Sequence, residues 1–255
     1  MGESMIPEVH VCADLNEASL ALAENLVNIA QDSVLKRGFF SLALSGGKTP
    51  RTLYGLLASE YSSKIPWDGV HLFWSDERCV PKDHTDSNYG MAYNILISKV
   101  SLPSKNIHRI PAEIDPPEKA AASYERVLRD FFKSSEGEVS PTFDVSLLGV
   151  GEDGHTASLF PGESALEEKN CWAVAVKAPP PFSPQNRITL TFPVINGSDT
   201  VFFLASGSEK SKILKSILEE PDKSAKIYPS ALVHPKARLT WFVDREIQIK
   251  GDYHE

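Results

Sequence analysis

Five short stretches of this 255-residue chain are apolar almost throughout: "FFSLAL" (39–44), "GVHLFW" (69–74), "FDVSLLGVG" (143–151), "TVFFLA" (200–205) and "RLTWFV" (238–243). A strand with one wet face alternates apolar and polar residues; these runs do not, so they ask for cover on both sides. Helical patterns lie between them. Asp14 precedes Leu15, Ala18, Leu22, Leu26, Ile29 and Ala30, near helical spacing, until Gly38 stops the run. Thr49 and Pro50 read as N-cap and first residue of a helix over "RTLYGLLASEY". Asn88–Val100, Glu118–Lys133 and Ser208–Glu219 read as further helices, and "VHVCAD" (9–14) as an opening strand. "WAVAV" (172–176) and "RITLTF" (187–192) are shorter β-like runs, an antiparallel excursion after residue 170. The alternation predicts an α/β fold, a Rossmann-like, mostly parallel sheet with helices on both faces. Pro116-Pro117 and "APPPFSP" (178–184) read as loops rather than linkers, so residues 1–255 are expected to form a single domain.

Composition narrows the partners. A formal net charge of −8 argues against general affinity for nucleic acid or an anionic membrane. No apolar run approaches a membrane span. Three widely spaced cysteines, Cys12, Cys79 and Cys171, lack metal-ligand spacing and suit a reducing compartment. "MGESMIPEVHV" has no leader character, Ile6 stands where a myristoylation signal wants Ser or Thr, and "DYHE" is no retention address. The expectation is a cytoplasmic protein, a monomer or weak homo-oligomer.

In such sheets ligands bind beyond the carboxyl ends of the strands. Four clusters fall there: Ser45-Gly46-Gly47, Ser75-Asp76-Glu77-Arg78, Gly151-Glu152-Asp153-Gly154-His155 and Gly207-Ser208-Glu209-Lys210. Gly149, Gly151 and Gly154 have the spacing of a dinucleotide loop. However, Glu152 and Asp153 would repel a pyrophosphate, and Pro161 cuts off the helix that should face it. That reading fails.

Gly46 and Gly47, followed by Thr49-Pro50, feed a helix N-terminus suited to one phosphate group, or form an ordinary strand–helix turn. Lys210 in a first helical turn opposes the dipole unless an anion lies near, although Glu209 beside it offsets the charge. Arg78 pairs with Asp76 or Glu77 at the surface, or binds the same anion; Arg187 is a solvated charge or a third cation for it. His155, two residues from Asp153, is a structural histidine or a general base near neutral pH. No Ser stands in a nucleophile elbow, and His71, His84, His108 and His234 lack zinc-site spacing. The expected chemistry uses water as nucleophile, with no metal and no cofactor.

Together, "SGGKTP" (45–50), "FWSDERCVP" (73–81), "DSNYGMA" (86–92), "GVGEDGHTASLFPG" (149–162) and "GSEK" (207–210) resemble the 6-phosphogluconolactonase family, in order through nearly the whole chain. Its superfamily also holds glucosamine-6-phosphate deaminases/isomerases. The resemblance implies a carboxylic ester hydrolase of the sugar-phosphate isomerase/lactonase fold. Such an enzyme opens 6-phospho-D-glucono-1,5-lactone to 6-phospho-D-gluconate in the oxidative pentose phosphate pathway. It implies that His155 activates water against C1 and Asp153 orients His155. Gly46, Gly47, Thr49, Arg78, Arg187 and Lys210 would hold the substrate, chiefly its phosphate. The deaminases carry a Glu five residues after the loop histidine; here that position is Phe160, which cannot shuttle a proton. A deaminase/isomerase and a non-catalytic sugar-phosphate sensor are the competing readings. The roles of Lys48, Asp76 and Glu77 stay open.

Overall fold

The continuously apolar runs pair with one another as their composition requires. In a computed structural model describing residues 7–133 and 140–249, these five and the opening run form six parallel strands. These are Glu8–Cys12 (β1), Phe40–Leu44 (β2), Val70–Trp74 (β3), Val145–Leu148 (β5), Thr200–Ala205 (β8) and Arg238–Asp244 (β9). Their order is β1-β9-β8-β5-β2-β3, every neighbour parallel. All residues of β2, β5 and β8 are buried, whereas edge strand β1 is half open. The leader and address expectations for residues 1–6 and 252–255 lie outside the described residues.

The helices are Leu15–Arg37 (α1), Pro50–Ala58 (α2), Asn88–Ile95 (α3), Pro117–Phe132 (α4), Phe192–Asn196 (α5), Ser211–Glu219 (α6) and Pro221–Ser224 (α7). For α1 the local signals suffice. Asp14 Oδ1 accepts from Glu17 N at 2.9 Å, Glu17 reaches back to Ala13 N, and Gly38 ends the helix at φ +83°. The helix α2 departs from expectation: Thr49 has helical backbone angles and makes no side-chain cap. The run beginning at Asn88 ends its α-helix at Ile95 and tightens into a 3₁₀ turn over 97–99. The run from Ser208 starts as a 3₁₀ turn, without a side-chain cap, before α6. No described helix is long and apolar enough to cross a membrane.

The antiparallel excursion exists, as Ala173–Lys177 (β6) and Asn186–Leu190 (β7), but it takes a third strand from Asp76–Arg78 (β4), in the order β4-β7-β6. Nothing in the polar "DER" announces a strand; pairing with β7 imposes it. "RITLTF" splits, because Pro193 opens α5 just after β7. The small sheet hangs from the large one by Leu190 N donating to Ser75 O at 2.8 Å.

Chain direction across the large sheet fixes the site. From β2 the chain moves outward to β3; from β5 it moves the other way, to β8 and then β9. The reversal falls between adjacent β2 and β5, and in open α/β sheets the crevice beyond such a switch point receives the ligand. The strand β2 ends at Ser45-Gly46-Gly47 and β5 at the loop containing His155.

An aromatic cluster under β3 carries a pH-sensitive pair. His108 stacks on Phe73 at 4.3 Å, and its Nε2 lies 3.0 Å from His71 Nδ1. Burial pulls His108 down to about 4, with His71 adding to it, and burial lowers His71 as well, with Lys105 adding there. Both folded values lie below the unfolded value of 6.5, so the unfolded chain takes up protons first. The pair's contribution is intact above about pH 6.5 and fades as pH falls toward about 4. Thermal melts between about pH 7 and about pH 5 should show a falling midpoint. A His108→Phe variant should lose part of that slope; an identical slope would show the pair is inert.

Candidate active site

The turn after β2 is held from below and beside. Tyr54 of α2, fully buried, donates its hydroxyl to Ser45 O at 2.7 Å. Gly47 sits at φ +92°, a conformation that favours glycine. A Cβ on Gly46 would lie 2.0 Å from Asn88 Oδ1, so glycine is required there for Asn88 to pack against the turn.

The loop after β5 is folded around His155. Asp153 Oδ1 lies 2.5 Å from His155 Nδ1 and also accepts from His155 N at 3.1 Å. With Nδ1 engaged, Nε2 is the nitrogen left to accept a proton. Burial pushes the Asp153 carboxyl up, but the hydrogen bond and charge of His155 outweigh it and hold the group below its ordinary value. A Cβ on Gly151 would meet His155 Nδ1 at 2.1 Å, so the imidazole rests on a bare backbone. Gly154, at φ +80°, is overlaid by Tyr228, and its carbonyl accepts from Ser230 N at 3.0 Å. Ala157 lies at φ +49°, a strained angle for a residue with a Cβ, directly on the cavity wall.

One cavity of about 410 Å³ collects these pieces. Gly46, Gly47, Thr49, Arg78, His155, Arg187 and Lys210 all line it; Asp153 stands behind His155. Thr49 reaches the cavity even though it does not cap α2. Arg187 is only 4% exposed, which corrects the solvated-charge alternative. Register explains its place: β4 and β7 set Arg78 directly opposite Arg187. Like charges facing across a strand pair are destabilising unless an anion shares them. Burial and Arg78 both pull Arg187 down, while Asp76 supports its charge. Arg187 Nε donates to Pro184 O at 2.9 Å and Arg78 donates to Asp86 O at 2.9 Å, while Arg78 Nε is buried with no acceptor among the described residues. Lys210 Nζ lies 3.9 Å from Glu209.

The carboxylates beside Arg78 do not form a surface ion pair with it. Asp76 is buried on the cavity wall, its Oδ2 accepting from Ser158 Oγ at 2.6 Å and its Oδ1 from Asn88 Nδ2 at 3.1 Å. Glu77 turns away and accepts from the backbone N–H of Arg78, Asn88 and Tyr89 at 2.7–2.8 Å and from Ser87 Oγ at 3.0 Å. Burial pushes its carboxyl up in spite of those donors. Asn88 and Ser158 lie inside segments already singled out in the sequence, but only the fold brings them to Asp76. Phe182, from the proline-rich loop, was not foreseen. Its ring stands 5.0 Å from His155, edge-on, while Phe160 packs at 4.6 Å, and together they fix the imidazole plane. Among the described residues no three His, Cys, Asp or Glu side chains could hold a metal ion.

Residues 13–241 match the family described as glucosamine-6-phosphate isomerases/6-phosphogluconolactonase. The chain is 40% identical over 229 residues to 6-phosphogluconolactonase of Nostoc sp., covering 89% of this chain and 91% of the relative. It is 38% identical to 6-phosphogluconolactonase 3, chloroplastic, of Arabidopsis thaliana, covering 90% of this chain and 70% of the relative. The solved structure of 6-phosphogluconolactonase from Trypanosoma brucei superposes with a TM-score of 0.85 at 30% identity, covering 96% of this chain and 98% of that one.

Proposed function

Because the chain belongs to the glucosamine-6-phosphate isomerase/6-phosphogluconolactonase family, we infer that it hydrolyses 6-phospho-D-glucono-1,5-lactone to 6-phospho-D-gluconate. The observation that carries this reading is one cavity holding both an Asp-oriented imidazole and two arginines paired across neighbouring strands. A phosphate anchored between Arg78, Arg187 and Lys210, beside the turn at Gly46, Gly47 and Thr49, leaves the lactone carbonyl to be set against His155. His155 Nε2 takes a proton from water as the water oxygen bonds to C1. The oxyanion at C1 then collapses, the bond from C1 to the ring oxygen breaks, and the ring oxygen receives the proton. Asp153 keeps Nδ1 occupied and favours the imidazolium formed in that step. A δ-lactone is an activated ester, so positioning and one base are adequate chemistry.

Phe160 favours the lactonase over a deaminase/isomerase. It is 1% exposed and packed against His155, an apolar wall where the multistep reaction needs another proton carrier. Lactone opening, corrected for the spontaneous reaction, tests the choice against ammonia release from glucosamine 6-phosphate. Faster ammonia release would reverse it, and 6-phosphogluconate binding without turnover would favour a sensor. Arg78→Ala and Lys210→Ala should each raise KM roughly tenfold or more, the range for charge-assisted hydrogen bonds, with kcat little changed because the phosphate is remote from C1. Equal KM in both variants would displace the phosphate site.

The same reading takes residues 1–255 as one catalytic domain and the cytoplasm as its compartment. Three cysteines without disulfides support a reducing environment. Fractionation against the chloroplast location of the Arabidopsis relative distinguishes cytosol from organelle, and sedimentation tests a monomer or weak homo-oligomer.

A further inference from the structure

The cavity holds a fourth cation to which neither the motifs nor the hydrogen bonds give a task. Lys48 lines it between Gly47 and Thr49, with an exposed side chain. That side chain has no hydrogen-bond or ion-pair partner among the described residues, unlike the other three cations, which are held by Asp86, Pro184 and Glu209. Charge decides what such a residue is for. Lys48, Arg78, Arg187 and Lys210 face Asp76 and Glu209 around the cavity, a surplus of two positive charges. A phosphate monoester carries about −1.5 to −2 near pH 7. Without Lys48 the surplus falls to one, and the anion is left partly uncompensated.

We propose that Lys48 is a further substrate-binding residue, whose ammonium closes over the phosphate from the solvent side. The proposal rests on the assignment of a phosphorylated lactone to this cavity. A flexible four-carbon stem suits the task, since the ammonium is a point charge that needs no fixed fork. The adjoining N-terminus of α2 adds the positive end of its dipole on the same side. Because Lys48 is exposed, its contribution is screened by salt more than that of buried Arg187. It acts on the phosphate and not on C1, so it discriminates phosphorylated from plain lactone.

Steady-state kinetics of Lys48→Ser and Lys48→Arg on 6-phosphogluconolactone and on glucono-1,5-lactone test this directly. Lys48→Ser should raise KM for the phosphorylated lactone roughly fivefold to tenfold at low salt, a screened charge-assisted contact. Its kcat should be unchanged, and turnover of the plain lactone should be unchanged as well. Lys48→Arg should restore most of the loss, and the gap should narrow at about 0.5 M salt. An unchanged KM in Lys48→Ser, or equal losses on both lactones, overturns the proposal. A wild type that opens no lactone faster than water does would instead overturn the function itself.

Discussion

Replacing His155 with alanine should lower kcat roughly 10²–10⁴-fold, the contribution of a positioned general base, while 6-phosphogluconate still binds. The separation follows from the geometry. Arg78, Arg187 and Lys210 line the same cavity as His155, but none of them is bonded to it, so an anchored phosphate does not depend on the imidazole. Removing the ring also removes the partner of Asp153 and leaves Phe160 and Phe182 facing a gap. For that reason the variant should be compared with His155→Gln, which fills more of the space without supplying a base. Both should be slow, and both should keep product affinity by calorimetry. Turnover near wild type in either variant would remove His155 from the reaction and leave only the phosphate site standing.

Glu77→Ala should be the most destabilising change near the site. Its carboxylate, 2% exposed, satisfies three backbone N–H groups and one hydroxyl, and ties β4 to the start of α3. Orphaned buried donors cost about 1–3 kcal/mol each, and relaxation recovers part of that, so a loss of roughly 3–5 kcal/mol is expected. In a chain of this size that lowers the melting midpoint by about 10 °C. Glu77→Gln keeps one acceptor oxygen but turns an NH2 donor toward the donors that the other oxygen served, so it should recover only part of the loss. Since α3 carries Asn88, which packs on Gly46 and bonds to Asp76, the alanine variant should also raise KM. An unchanged melting midpoint would mean that water replaces the carboxylate without cost.

Much of this architecture was legible because the signals are local. Asp14 and Gly38 bound α1 by the hydrogen bonds and the backbone angle that those residue types favour. The runs in β2, β5 and β8 are apolar almost throughout because both faces are covered. Strand β4 was not legible, since "DER" has no β pattern and becomes a strand only by pairing with Ile188 and its neighbours. Nor could Thr49 be separated from an N-cap, because the choice rests on a backbone angle set by the turn before it.

The candidate site divides along the same line. Sequence alone determined that small and charged residues gather at four strand ends, that Asp153 lies within reach of His155, and that an aromatic residue, Phe160, follows five residues later. Those are matters of residue type and short spacing, which survive without knowledge of the fold. Tertiary structure decided which strand ends are neighbours, through a strand order that equally apolar runs cannot encode. It decided that Arg78 faces Arg187, through a register between segments 109 residues apart in the chain. It decided that Ser158 and Asn88 hold Asp76, across 82 and 12 residues, and that Phe182 closes on His155. The physical reason is range: turn angles and periodicity are written in adjacent residues, whereas charge compensation in a cavity depends on which distant strands come to lie side by side.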